Sequence, residues 1–145
     1  MATFPFFSKS KFAQNEAHLR NLILMAKSDN SIDQSELEVI YEIGLRRDFT
    51  ENEIKDLLRN NDRQKLIVPE NDQDKFEQLY DLTLVMMADG IIEDDEMDFC
   101  IDFGNKLGLR KTRAALLITE IVEGLEKKLD KFDIFNKTKK YFNVI

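Results

Sequence analysis

Apolar residues recur three and four positions apart along almost the whole chain, and that period is helical. Alternating β-branched stretches are absent, and no Asn-Gly hairpin turn appears. The pattern predicts seven helices. The first covers residues 10–27, with Phe12, Leu19, Leu22, Ile23 and Ala26 facing inward. The second covers 34–46. The third follows Thr50, which has the spacing of a capping box with Glu53, and stops before Asn60-Asn61-Asp62. A connector, RQKLIVPEN, then breaks the period. Pro69 cannot continue a helix, and the Leu66-Ile67-Val68 run is expected to tuck into a groove. The fourth helix starts after Asn71, a good N-cap, and carries Phe76, Leu79, Tyr80, Leu82, Thr83 and Met86. The fifth covers 94–106 and stops at Gly108, the sixth 111–128, and the seventh 130–142 with Phe132, Phe135 and Phe142 toward the core.

Shifted by 60 positions, the chain matches itself. Leu22, Leu24, Asp29, Ile32, Glu36, Gly44 and Leu57 fall on Leu82, Leu84, Asp89, Ile92, Glu96, Gly104 and Leu117. This implies duplication of a helix–loop–helix–helix unit, about 12–60 and 72–120, followed by a C-terminal helix at about 130–142. Neither unit can hide its apolar face alone, so the expected fold is all-α: one bundle of about seven helices, built from two repeats about a pseudo-twofold axis. Gly44 and Gly104 sit inside helices, where glycine costs roughly 1 kcal/mol against alanine. Its use twice at one register points to close helix crossings.

Composition narrows the function. A chain of 145 residues suits one domain and hides roughly 70% of its unfolded surface. A net charge of −7 argues against nucleic acid, whose affinity is built on Lys and Arg, and toward cations or basic protein surfaces. Cys100 is alone, which excludes an intramolecular disulfide and a cysteine-based zinc site. It shares an apolar stripe with Met97, Ile101, Gly104 and Leu107, the setting of a small core residue. His18 is the only histidine, and no nucleophile elbow, P-loop or zinc-protease motif occurs, so no enzyme is expected. Pro5 interrupts the N-terminal apolar run too early for a signal peptide, and no stretch of about 18 apolar residues can span a bilayer. A soluble cytoplasmic protein is expected. Phe4, Phe6 and Phe7 either dock on the domain or meet a partner or lipid surface. The lysine-rich tail, with Phe132, Phe135, Tyr141 and Phe142 interleaved, is either a docked amphipathic helix or a membrane-surface helix, its charge diluted by Asp130 and Asp133. On the fifth helix Asp94, Asp98 and Asp102 stack four apart, a repulsion that Lys106 relieves at Asp102.

The densest chemistry lies in two acidic turns of the form D-[GN]-x-I-x-x-x-E, at Asp29…Glu36 and Asp89…Glu96. Asn30 and Gly90 tolerate the left-handed backbone that ends the preceding helix. Ile32 and Ile92 are expected to point back to the core. Asp33 and Glu93 fall at the N-cap of the next helix, with Glu36 and Glu96 at the reciprocal capping-box position, although glutamate is a weak cap. Capping does not account for Asp29 and Asp89, which stand where the helix dipole disfavours an acid. Either they bind loop N–H groups, or they share a cation with the glutamate seven positions on. The spacing matches the second half of an EF-hand loop, but the first-half ligand positions hold Met25, Lys27, Val85 and Met87, which cannot bind calcium. A true EF-hand is rejected. A cation here would be calcium or magnesium on Asp29, Glu36, Asp89 and Glu96, with Asp33 and Glu93 as further donors.

The doubled turns, and above all Ala88-Asp89-Gly90-Ile91-Ile92-Glu93-Asp94-Asp95-Glu96 with Leu107-Gly108-Leu109, resemble the TerB family of tellurite-resistance-associated proteins and its wider superfamily. The resemblance spans roughly residues 12–125. It implies an all-α bundle, a divalent-cation site at the acidic turns, and a non-enzymatic role in bacterial stress or metal responses alongside membrane-associated protein partners. The competing expectation is an acidic protein–protein adaptor that needs no metal.

Overall fold

A computed structural model of the chain describes residues 5–27, 32–60 and 68–142, with side chains from residue 11 onward. The described residues form seven α-helices and no strand: α1 Pro5–Ala26, α2 Gln34–Arg46, α3 Glu51–Arg59, α4 Asp72–Met86, α5 Asp94–Lys106, α6 Lys111–Glu126 and α7 Lys131–Thr138, followed by a 3₁₀ turn, Lys139–Tyr141. None of the described helices is long and apolar enough to cross a membrane.

The helix starts follow the capping chemistry in the sequence. Asp33 and Glu36 close a reciprocal box at α2, and Thr50 and Glu53 close one at α3. Asn71 accepts from the Asp74 N–H at 2.7 Å, and Asp130 from the Asp133 N–H at 2.9 Å. Glu93 makes no side-chain cap, and α5 begins at Asp94. At the other end α2 and α5 stop alike. The Phe49 N–H returns to the Gly44 carbonyl (3.0 Å) and the Leu109 N–H to that of Gly104 (3.1 Å), through Asp48 at φ 70° and Gly108 at φ 111°.

Several boundaries and faces differ from the sequence expectation. α1 begins at Pro5, five residues early, because proline fits the first turn of a helix, where an N–H has no partner to lose. Phe12 is 51% exposed and leans on the ring of buried Phe49, with centroids 5.6 Å apart. α6 stops at Glu126, because Lys128 takes φ 61° and the Leu129 N–H returns to the Gly124 carbonyl. In α7 the fully buried side chains are Ile134 and Thr138, four apart; Phe135, its ring centroid 5.1 Å from that of Phe76, and Phe142 pack partly buried on the core as expected, whereas Phe132, two positions from Ile134, faces the opposite way and is 69% exposed. Ile32 packs partly buried on the core, whereas Ile92 is exposed. Val68 is exposed while Pro69 is buried; Leu66 and Ile67, like Phe4, lie outside the described residues, and Phe6 and Phe7 outside the described side chains.

α4 runs through the middle, touching α1, α2, α5 and α6, and α7 packs on α6. The core joins Leu19, Leu22 and Ile23 of α1 to Phe76, Leu82 and Met86 of α4, with Ile43 and Leu117 from the flanking helices. Cys100 lies inside it, its thiol pushed up to about 12 by burial, with the nearby Glu96 charge adding to the effect. Gly44 and Gly104 are both crossing points. A Cβ on Gly44 would stand 2.7 Å from Ile54 Cδ1, and one on Gly104 would stand 2.8 Å from Ala114 Cβ. The isoleucine tip can rotate away, but the alanine methyl is fixed to its helix. Gly104→Ala is therefore expected to cost about 1–3 kcal/mol through overpacking, and Gly44→Ala distinctly less. Urea unfolding of the two variants against the wild type checks that order.

Candidate functional site

The acidic turns come first. Asp29 lies outside the described residues. Glu36 is buried at the third position of α2, where its Oε1 accepts from the Asp33 N–H (3.2 Å) while Asp33 Oδ1 accepts from the Glu36 N–H (2.8 Å). Glu96 is buried at the same position of α5. Asp89 is exposed beyond the end of α4, and its Oδ1 accepts from the Ile91 N–H at 2.9 Å. That hydrogen bond, and then the carboxyl of Asp33 within hydrogen-bonding reach, hold Asp89 below its ordinary value of 3.8. Thus Asp33 from one turn meets Asp89 from the other. Glu36 and Glu96 are drawn inward, and Glu93 stays exposed. Among the described residues, no group of three or more His, Cys, Asp and Glu side chains is placed to hold a metal ion.

A second polar centre did not stand out in the sequence. His18 on α1 is buried, and its Nε2 lies 2.8 Å from Asp81 Oδ2 on α4. Arg47, the residue that ends α2, donates to the same Asp81 oxygen (3.2 Å) and to Asn15 Oδ1 (3.0 Å). Its guanidinium also lies 3.6 Å from Glu77 Oε1, which Lys131 at the start of α7 approaches to 3.4 Å. The Lys131 ammonium lies 5.5 Å from the Tyr80 ring centroid. This chain of charges ties α1, α2, α4 and α7 together. It was legible only as a conflict: Asp81 falls on the apolar stripe of α4 between Gln78 and Val85, and His18 on that of α1 with Leu22 and Met25. A charge on a buried stripe needs a partner.

The network sets the protonation of both members. Burial, the largest influence, lowers the His18 pKa from 6.5 against the raising effect of Asp81. Burial alone would raise Asp81, but the His18 hydrogen bond and the Arg47 charge outweigh it and hold the carboxyl below 3.8. His18 Nδ1 is buried with no hydrogen-bond partner among the described residues. A neutral ring that donates from Nε2 to the Asp81 carboxylate suits this geometry, and a proton on Nδ1 would meet no acceptor.

The described fold is that of a small all-helical protein organised around a buried histidine–carboxylate–guanidinium network. No protein-family model, curated protein or solved structure matches the chain.

The pKa directions give a signed pH dependence. Because His18 is lowered on folding, the unfolded chain binds more protons below 6.5, and stability falls as pH drops through that value. The Asp81 contribution is complete above 3.8 and is lost only at still lower pH. Between pH 6.5 and 5 the stability of the wild type is expected to fall by up to about 1.4 kcal/mol per pH unit. His18→Gln, which keeps a donor for Asp81 but cannot titrate, should flatten that limb. Denaturant unfolding at half-unit pH steps measures it.

Proposed function

We propose that the chain is a non-enzymatic, TerB-like interaction module, built by duplication, that takes up a divalent cation, calcium or magnesium, at the seam between its two acidic turns. The observation that carries this reading is the approach of Asp33 to Asp89. Two carboxyls that close repel when both are ionised, and either a shared proton or a cation relieves the repulsion. An ordinary carboxylic acid gives up its proton well below neutral pH, so at neutral pH the cation is the better neutraliser. Magnesium is often held by one or two carboxylates and completes its shell with water. Asp29 is the candidate third oxygen donor. Glu36 and Glu96, buried beneath the turns, support the loops and the charge rather than the outer contact.

Duplication is supported by boundaries that repeat at an interval of 60: α2 and α5 begin and end in step, and α1 and α4 end in step. The glycine crossings repeat as well, Gly44 on Ile54 and Gly104 on Ala114. By its resemblance, the module serves a bacterial stress or metal response with a protein partner. A metal-free acidic adaptor is the second reading, favoured by the want of a three-donor cluster among the described residues.

Asp33→Asn/Asp89→Asn separates the two readings, since asparagine also caps helices well and leaves the fold intact. The wild type is expected to release heat and gain thermal stability with calcium or magnesium, with a dissociation constant on the order of 10⁻⁴–10⁻³ M, and the variant to do neither. Silence of the wild type at millimolar ion in both calorimetry and thermal melting leaves the adaptor reading.

A further inference from the structure

One face of α2 is unlike its counterpart on α5. Leu37, Tyr41 and Leu45 stand four apart on α2 and form a single stripe, rooted where Tyr41 packs on the core and open where Leu45 is 50% exposed. With Glu38, Glu42 and Glu51 they line a shallow groove whose lining contains no lysine or arginine. Among the described residues none of these glutamates takes part in an ion pair, and the one side-chain hydrogen bond at them is from Gln34 to Glu38 at 3.4 Å.

Sixty positions on, the corresponding surface is built differently. Leu45 is answered by Asn105, whose amide donates to the Leu109 carbonyl at 2.8 Å. Glu51 is answered by Lys111, which neutralises Asp102 at 3.2 Å; the expected partner, Lys106, is not the one used. Met97 and Ile101, matching Leu37 and Tyr41, both pack on the core. An exposed leucine ringed by unneutralised glutamates is therefore not something this helix pair needs in order to fold.

We propose that the α2 groove is a docking surface for a basic amphipathic helix of a partner protein. Apolar side chains of that helix would cover Leu37, Tyr41 and Leu45, while its flanking lysines or arginines would meet Glu38, Glu42 and Glu51. The apolar stripe at helical spacing suits a helix laid lengthwise, and the rim of three glutamates, with Gln34 its other polar member, selects a basic one and disfavours an anionic membrane surface. The inference rests on the interaction-module half of the proposed function and not on the cation half, because no residue of the groove is one of the candidate cation donors.

The test uses a labelled leucine–lysine peptide of about 18 residues, amphipathic as a helix, beside a scrambled peptide of the same composition. Fluorescence anisotropy with the full chain is expected to show the amphipathic peptide binding about tenfold or more tighter than the scrambled one. Leu45→Asn/Glu51→Lys, which installs the residues found 60 positions on, is expected to remove that preference with the thermal midpoint unchanged. Glu123→Gln/Glu126→Gln, an equal charge change on exposed positions of α6, is expected to retain it. Binding should persist in EDTA, so a failed cation titration leaves this result standing and a failed peptide titration leaves the cation reading standing. Equal binding of the two peptides, equal loss in both variants, or loss in EDTA overturns the proposal. So does sedimentation of the wild type as a dimer that Leu45→Asn/Glu51→Lys splits, which would make a second copy the occupant, or Leu45-dependent capture by phosphatidylserine vesicles.

Discussion

Asp81 is an acid set in the helix against which α1, α2, α5 and α6 all pack. An isolated carboxylate there would cost several kcal/mol in lost hydration. The structure meets that demand with His18 from one helix and Arg47 from the end of another, so both must arrive in register for the core to close. Arg47 and Glu77 then extend the constraint to Asn15 and Lys131, fixing α1 and the start of α7 relative to α4. Apolar packing alone tolerates a slipped helix better than a buried ion pair does, since a slip leaves a charge without its partner. The network therefore orders the bundle more than it strengthens it.

The acidic turns are the complementary case, with their charge at the surface. Of their buried glutamates, Glu36 serves a helix start through its reciprocal bonds with Asp33, while Asp33 and Asp89 approach one another at the exposed surface. The burial that holds His18 neutral and raises the Cys100 thiol is absent at Asp89, whose shift comes from hydrogen bonds. Acid-responsive chemistry therefore sits in the core, at His18.

The helices and most of their limits were legible in the sequence because they follow from local causes. Asp33, Thr50, Asn71 and Asp130 cap where their side chains reach the third backbone N–H beyond, and Gly108 ends α5 through its left-handed backbone. The Gly44 and Gly104 crossings were legible too, because a repeated glycine inside a helix has a cost that needs a reason. Of the candidate site, the capping role of Glu36 and the burial of Cys100 were legible, whereas the inward turn of Glu96 and the meeting of Asp33 with Asp89 were not.

Sequence alone determined that this chain is helical, where its capped helices from α2 onward start, and that its two acidic turns stand 60 residues apart, since periodicity and capping act within a few residues. Only the tertiary structure decided that His18 pairs with Asp81 across 63 positions, that Phe132 and Leu45 face outward, and that Asp102 is matched by Lys111. Those outcomes depend on which faces of separate helices come together, and no local preference of the backbone encodes that choice.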